Sequence, residues 1–246
     1  MLLRSIRKKF FFATISMAIA LNLAASQTPI NAGEFRQLKG QKTPSSTNNG
    51  LPSYRRDGGT RGHCVINSSE FVALVPDTAV NRTASLHPKL YFYVPKTEKS
   101  QTIEFVLRDS NDNLIYEKII ETKDKSGIMS VEIPLNGNQE TKSLDSETHY
   151  HWYLSNICHP EKRSQDIVLE GWIEHKTLSA STLEKLKQLS PDRQAKFYQQ
   201  QALWYDAIAI AAAEIQANPQ QSEQTQWSKL LTDIGLPQFA RQFPSD

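Results

Sequence analysis

The chain has 246 residues, 22% of them charged and 39% hydrophobic, with a formal net charge of +2. Four of its 28 basic residues and none of its 26 acids lie within residues 1–26, so without that segment the net charge is −2. Nucleic-acid-binding proteins are recognised by a cationic stripe, so a slightly acidic chain argues against nucleic acid as the partner.

The opening MLLRSIRKKFFFATISMAIALNLAASQTP places Arg4, Arg7, Lys8 and Lys9 before an apolar run from Phe10 to Leu23. A helix needs roughly 20 apolar residues to span a bilayer, and this run is shorter. Ala24, Ala25 and Ser26 suit cleavage before Gln27. Residues 1–26 are therefore read as a secretory signal peptide. The expectation is an exported protein of the periplasm, the extracellular space or a thylakoid lumen, with no membrane span after cleavage.

Residues 27–62 are rich in Gly, Pro, Ser, Asn and charge and poor in large apolar residues. They read as a disordered or loosely docked linker, because such a composition buries too little surface to offset the entropy of ordering. Its end, YRRDGGTRG, clusters Arg55, Arg56 and Arg61 among glycines, which fits a solvated arm.

Residues 63–178 carry strand after strand: FVALVP, KLYFYVP, TIEFVLRD, NLIYEKIIE, IMSVEIP, HYHWYLSNIC and DIVLEGWIEH. In TIEFVLRD, Ile103, Phe105 and Leu107 oppose Thr102, Glu104 and Arg108. In DIVLEGWIEH, Ile167, Leu169 and Ile173 face away from Asp166, Glu170 and Glu174. Period two with one buried face marks antiparallel sheet. Short strands separated by turn residues predict an Ig-like antiparallel β-sandwich.

From residue 179 to 246 the period becomes helical. Leu183, Leu186 and Leu189 follow Ser181 or Thr182 as cap, Ser190-Pro191-Asp192 opens a second helix, and LWYDAIAIAAAEIQANP stops at Pro219. A last helix from near Ser222 carries Trp227, Leu230, Leu231 and Ile234 and ends at Gly235. The fold class expected is mainly β with an α tail. WYDAIAIAAAEIQANP is similar to the second helix of a tetratricopeptide-type pair, but no second copy follows at that repeat's period, so one helix pair is expected rather than a repeat groove.

The blocks GTRGHC, FVALVP, KLYFYVP, IEFVLRD, NLIYEKII, GIMSVEIP, HYHWYLSNICHP, VLEGWIEH, LWYDAI and WSKLLTDIGL together resemble the cyanobacterial family called domain of unknown function 928. The resemblance runs from about Gly59 to Leu236. It implies an exported cyanobacterial protein with a β-rich domain and a helical tail, with Cys64 and Cys158 paired and the EGW and WYD blocks as fold determinants. It implies no activity, since the family itself has none assigned.

Cys64 and Cys158, the only cysteines, sit beside His63 and His159. Adjacent ligands do not fit the spacing of a structural zinc site, where paired ligands stand two to four residues apart. On an extended strand, Cys158 and His159 also point to opposite faces. A nucleophilic thiolate needs an electropositive, partly exposed setting, whereas Cys158 shares an apolar face with Tyr150, Trp152 and Leu154. In an exported chain the two cysteines read as one disulfide, and the roles of His63 and His159 stay open. The run DSNDNLIYEKII has Leu114 and Ile120 where a calcium loop needs Gly and Glu, so it reads as a hairpin turn. Glu170 and Glu174, four strand positions apart, lie roughly 13 Å from one another, beyond the reach of paired glycosidase acids. Trp172 between them is either a platform for carbohydrate or peptide or an apolar patch beneath the helical tail, and the second is expected.

No nucleophile elbow, zinc-protease helix or nucleotide-binding glycine loop occurs, so no catalytic residue, cofactor or metal is assigned. The expected function is that of an exported non-catalytic binding or accessory protein of the envelope, with a protein partner there as the candidate ligand and Trp172, Glu170 and Glu174 as the candidate surface. The rival is an envelope hydrolase whose triad or metal site assembles from distant residues.

Overall fold

The computed structural model describes residues 55, 70–97, 99–122, 126–134, 144, 148–218 and 225–244. His63, Cys64 and residues 1–26, expected to be a signal peptide, lie outside the described residues. Among the described residues, eight strands precede four α-helices: β1 (Val72–Ala73), β2 (Val80–Thr83), β3 (Lys89–Val94), β4 (Thr102–Arg108), β5 (Leu114–Glu121), β6 (Gly127–Glu132), β7 (His149–Ile157), β8 (Ile167–His175), α1 (Ala180–Lys187), α2 (Pro191–Gln200), α3 (Trp204–Ala217) and α4 (Gln226–Asp233). Five strands form one sheet in the order β2-β8-β7-β4-β5, and three form another in the order β1-β3-β6. The described residues are thus mostly β, in two sheets, with four C-terminal α-helices.

Alternation explains why the sheets share a core. Ile103, Phe105 and Leu107 of β4, Trp152 and Leu154 of β7, and Leu169 of β8 face inward from the larger sheet. They meet Leu90, Phe92 and Val94 of β3 and Val131 of β6 in one buried cluster. Polar neighbours on the same strands face outward, as period two requires. The β4–β5 hairpin closes on the DSNDN turn: the Asp109 carboxylate accepts from the backbone amides of Asn111 and Asn113, both at 2.9 Å. Asp112 there takes a positive φ of 64°, a conformation that Asp tolerates in turns.

One strand departs from the antiparallel expectation. β2 runs parallel to β8, from Val80 opposite Trp172 to Thr83 opposite His175. Its sequence, VNRT, has no apolar alternation because its buried side chains, Asn81 and Thr83, are polar. They are satisfied locally: the Thr78 hydroxyl donates to Asn81 Oδ1 at 3.0 Å, and Thr83 Oγ1 accepts from the Ser85 amide at 3.0 Å.

The helices do not cover Trp172. β3 is apolar on both faces, so the three-stranded sheet has a second greasy side that must be buried. Val72, Leu74, Tyr91 and Ile128 on that side pack against Ile208, Ala211 and Ile215 of α3 and Trp227, Leu230 and Leu231 of α4. The result is three layers: larger sheet, smaller sheet, helices. The larger sheet's polar outer face makes no comparable demand for cover.

Helix ends follow local chemistry. Ser179, two residues before the expected cap, accepts from the Thr182 amide at 3.2 Å, and Thr225 caps α4 through the Ser228 amide at 3.2 Å. α4 ends where Gly235 (φ 76°) lets the Leu236 amide reach the Leu231 carbonyl at 2.7 Å. Gly235→Ala is expected to cost about 1 kcal/mol, the usual penalty of a β-carbon in the left-handed region, read as a lower denaturation midpoint.

Two sequence blocks clamp the layers together. Gly171 of EGW leaves room for the Trp152 indole, which lies against it in the core. Trp152 Nε1 donates to the Tyr205 hydroxyl at 2.9 Å, joining the larger sheet to α3. Asp206, next in the WYD block, accepts from the Ala84 amide at 2.8 Å and so holds the loop after β2. Arg55, inside the segment read as a linker, is docked: it donates to the carbonyls of Val75 (3.0 Å) and Ile234 (2.7 Å).

Candidate functional site

Pairing of β7 with β8 places Tyr153 opposite Glu170 and His151 opposite Trp172. All four point away from the core, since Tyr150, Trp152, Leu154, Leu169 and Ile173 occupy the inward positions. The candidate residues Glu170 and Trp172 are therefore joined by two that the sequence reading did not assign, His151 and Tyr153.

The His151 ring lies between two aromatic rings. Its centroid is 4.1 Å from that of Trp172, with an interplanar angle of 17°, and 4.1 Å from that of Tyr153 at 36°. His151 Nδ1 and the Tyr153 hydroxyl are 2.8 Å apart. His151 Nε2 stands 2.9 Å from Glu170 Oε2, yet it is buried without a hydrogen-bond partner. The distance alone suits an ion pair, but the carboxylate oxygen lies off the ring's N–H direction. Burial settles the charge states. It pushes His151 down to about 4, with Asp112 only partly opposing, and it pushes Glu170 upward. An imidazole with that pKa is neutral at pH 7. Tyr153 is raised by burial first and then by the charges of Glu170 and Asp112, with Arg108 opposing, so it stays a phenol.

Glu174 stands apart from this group. Its Oε2 lies 2.7 Å from Arg82 Nε and 4.0 Å from His149 Nε2, so its charge is already answered. Glu104 is likewise paired, with Arg163 at 2.6 Å, and Arg163 also reaches Asp166 at 2.5 Å. Both acids raise the arginine further above its usual range. The Asp166 carboxylate in turn accepts from the Cys158 amide at 3.1 Å, fixing the chain after β7. Cys158 packs against the shared core, and its expected partner Cys64 lies outside the described residues. His159 is in the turn after β7, where its Nδ1 accepts from the Glu161 amide at 3.3 Å.

Away from this group, a concavity of about 370 Å³ lies between the loop after β2 and helices α1 to α3, lined by Ser85, His87, Lys89, Leu183, Tyr198 and Asp206 among others. Asp206 at its floor is pushed up to about 6 by burial, with hydrogen bonds from Ala84, Thr83 and Ser85 opposing. Those bonds hold the loop. Among the described residues, no three or more His, Cys, Asp or Glu side chains are grouped to hold a metal ion. Nor is any described helix long and apolar enough to cross a membrane.

His151 and Tyr153 were legible as outward residues of HYHWYLSNIC once that strand's inward face was set. What the sequence did not show was the register that brings them against Glu170 and Trp172.

No curated protein matches the sequence. A solved structure, the fn3 domain of human collagen alpha-1(XX) chain, is 10% identical, covering 38% of this chain and 74% of that chain with a TM-score of 0.23. That score is too low to bear on the fold. The family described as Domain of Unknown Function (DUF928) matches residues 56–243, which takes in both sheets, all four helices and the His151–Trp172 cluster. The chain belongs to that family.

Proposed function

We propose that this is an exported, non-catalytic binding or accessory protein of a cyanobacterial envelope. In this reading its outward β7–β8 face, centred on Trp172, is the recognition surface. The observation that carries it is the four-residue square of His151, Tyr153, Glu170 and Trp172, held rigid on two central strands. Aromatic rings that are large, stiff and half-exposed suit recognition, because little side-chain entropy is lost on contact. Affinity capture from envelope extract tests it. Wild-type protein should retain a partner that Trp172→Ala loses, and a partner retained equally by both would remove Trp172 from the surface.

The rival, a hydrolase, draws on one observation: Tyr153, His151 and Glu170 stand next to one another, at 2.8 and 2.9 Å. Against it, His151 has one ring nitrogen at the Tyr153 hydroxyl and the other buried behind Glu170. A general base must reach the proton that it takes. A pinned imidazole serves better as a spacer that fixes two aromatic rings.

The same reading includes an Ig-like arrangement of the two sheets, a cleaved signal peptide over residues 1–26 and a Cys64–Cys158 disulfide. Sharing of one core by the two sheets supports the first. Placement of Cys158 at the end of β7, in a chain with a secretory leader, supports the last. Thiol alkylation of natively exported protein under non-reducing conditions should label no cysteine, and two labelled thiols would refute the bridge.

A further inference from the structure

We propose that the β7–β8 surface receives a cationic side chain, a lysine or arginine of a protein partner, at Glu170. This rests on the reading of that face as a recognition surface and names the chemistry it selects.

Three facts converge on Glu170. Its side chain is 16% exposed, so a partner's donor can reach it, yet it is buried enough for its charge to matter. Two other acids of this face are matched, Glu174 of the same strand with Arg82 and Glu104 of β4 with Arg163. Glu170 instead faces His151, whose neutral ring supplies no compensating charge and whose Nε2 makes no aligned hydrogen bond to it. A half-buried carboxylate without a counter-charge is costly in the free protein, and that cost is relieved when a cation arrives.

The surroundings narrow the class. Tyr153 is the cross-strand neighbour of Glu170, and Trp172 lies two residues along β8 on the same face. Aromatic rings beside a carboxylate attract ammonium and guanidinium groups through their negative faces. A neutral sugar would use the rings but leave the charge unanswered. An acidic peptide or a phosphate group would add repulsion.

The test uses the full-length protein after export, titrated with hexa-arginine and hexa-lysine peptides and with hexa-glutamate as the charge control. The salt is about 0.15 M, where long-range attraction is screened. The Trp172 indole N–H and the His151 ring proton are followed by NMR. Either cationic peptide should give a saturable shift at both reporters. Glu170→Gln should weaken it roughly fivefold or more, Glu170→Asp should keep it within about threefold, and the distant Glu184→Gln should leave it unchanged. Retention of binding by the Asp variant separates loss of charge from loss of fold. Equal weakening by Glu184→Gln, equal shifts with hexa-glutamate or no saturable shift would overturn the proposal. Should Trp172→Ala lose an envelope partner that Glu170→Gln keeps, the surface stands and the cation assignment falls.

Discussion

Gly171→Ala is expected to destabilise the protein by about 3 kcal/mol, at the upper end of the penalty for overpacking a core. A β-carbon at residue 171 would stand 2.6 Å from Trp152 Cζ2 and 2.9 Å from Cε2. The indole is fully buried and cannot swing away without losing Tyr205, its partner at 2.9 Å. Chemical denaturation measures the loss, and a double-mutant cycle assigns it. Trp152→Phe removes the clashing ring, so the double variant should be more stable than the two single losses add up to. Strict additivity would mean that Gly171 matters for another reason.

The second large effect is a pH dependence placed on Asp206. Its folded pKa is raised from 3.8 to about 6, so the folded state holds the proton more tightly than the unfolded one. Its contribution to stability is therefore greatest below about pH 4, falls as pH rises to 6, and is flat above that. The shift corresponds to about 3 kcal/mol. His151 acts in the opposite sense: lowered from 6.5 to about 4, it costs stability as pH falls through that window. The raw stability curve mixes the two, so the informative quantity is the difference between wild type and Asp206→Asn. That difference should vary by about 2 kcal/mol between pH 4 and 7, and a pH-independent difference would mean that Asp206 titrates normally. At neutral pH Asp206→Ala should be the more damaging change, because it leaves the Ala84 amide without an acceptor.

Legibility in the sequence followed physical signal strength. β4 and β8 alternate apolar and polar residues, so both their existence and their inward faces could be read directly. The hairpin at Asp109 was legible because its side chain makes the turn's own hydrogen bonds. β2 was not, since Asn81 and Thr83 are polar side chains buried by hydrogen bonding rather than by hydrophobicity. The place of the helices was misjudged for a related reason. Trp172 looked like the patch in need of cover, whereas KLYFYV, apolar on both faces, carried the stronger demand. EGW and WYD were visible as blocks, but their meeting through Trp152 and Tyr205 depends on packing between residues 53 positions apart. The candidate site was half legible: Glu170 and Trp172 stood out, while His151 and Tyr153 needed the β7–β8 register.

Hydroxyl-radical footprinting of the protein, alone and bound to a partner captured from envelope extract, tests the proposed recognition surface at the level of side chains. Trp172 and Tyr153 should lose oxidation on binding, while Tyr198 beside the Asp206 concavity and Phe243 near the C terminus should oxidise at unchanged rates. Protection of Tyr198 with Trp172 and Tyr153 unaffected would place recognition at the concavity and contradict the account.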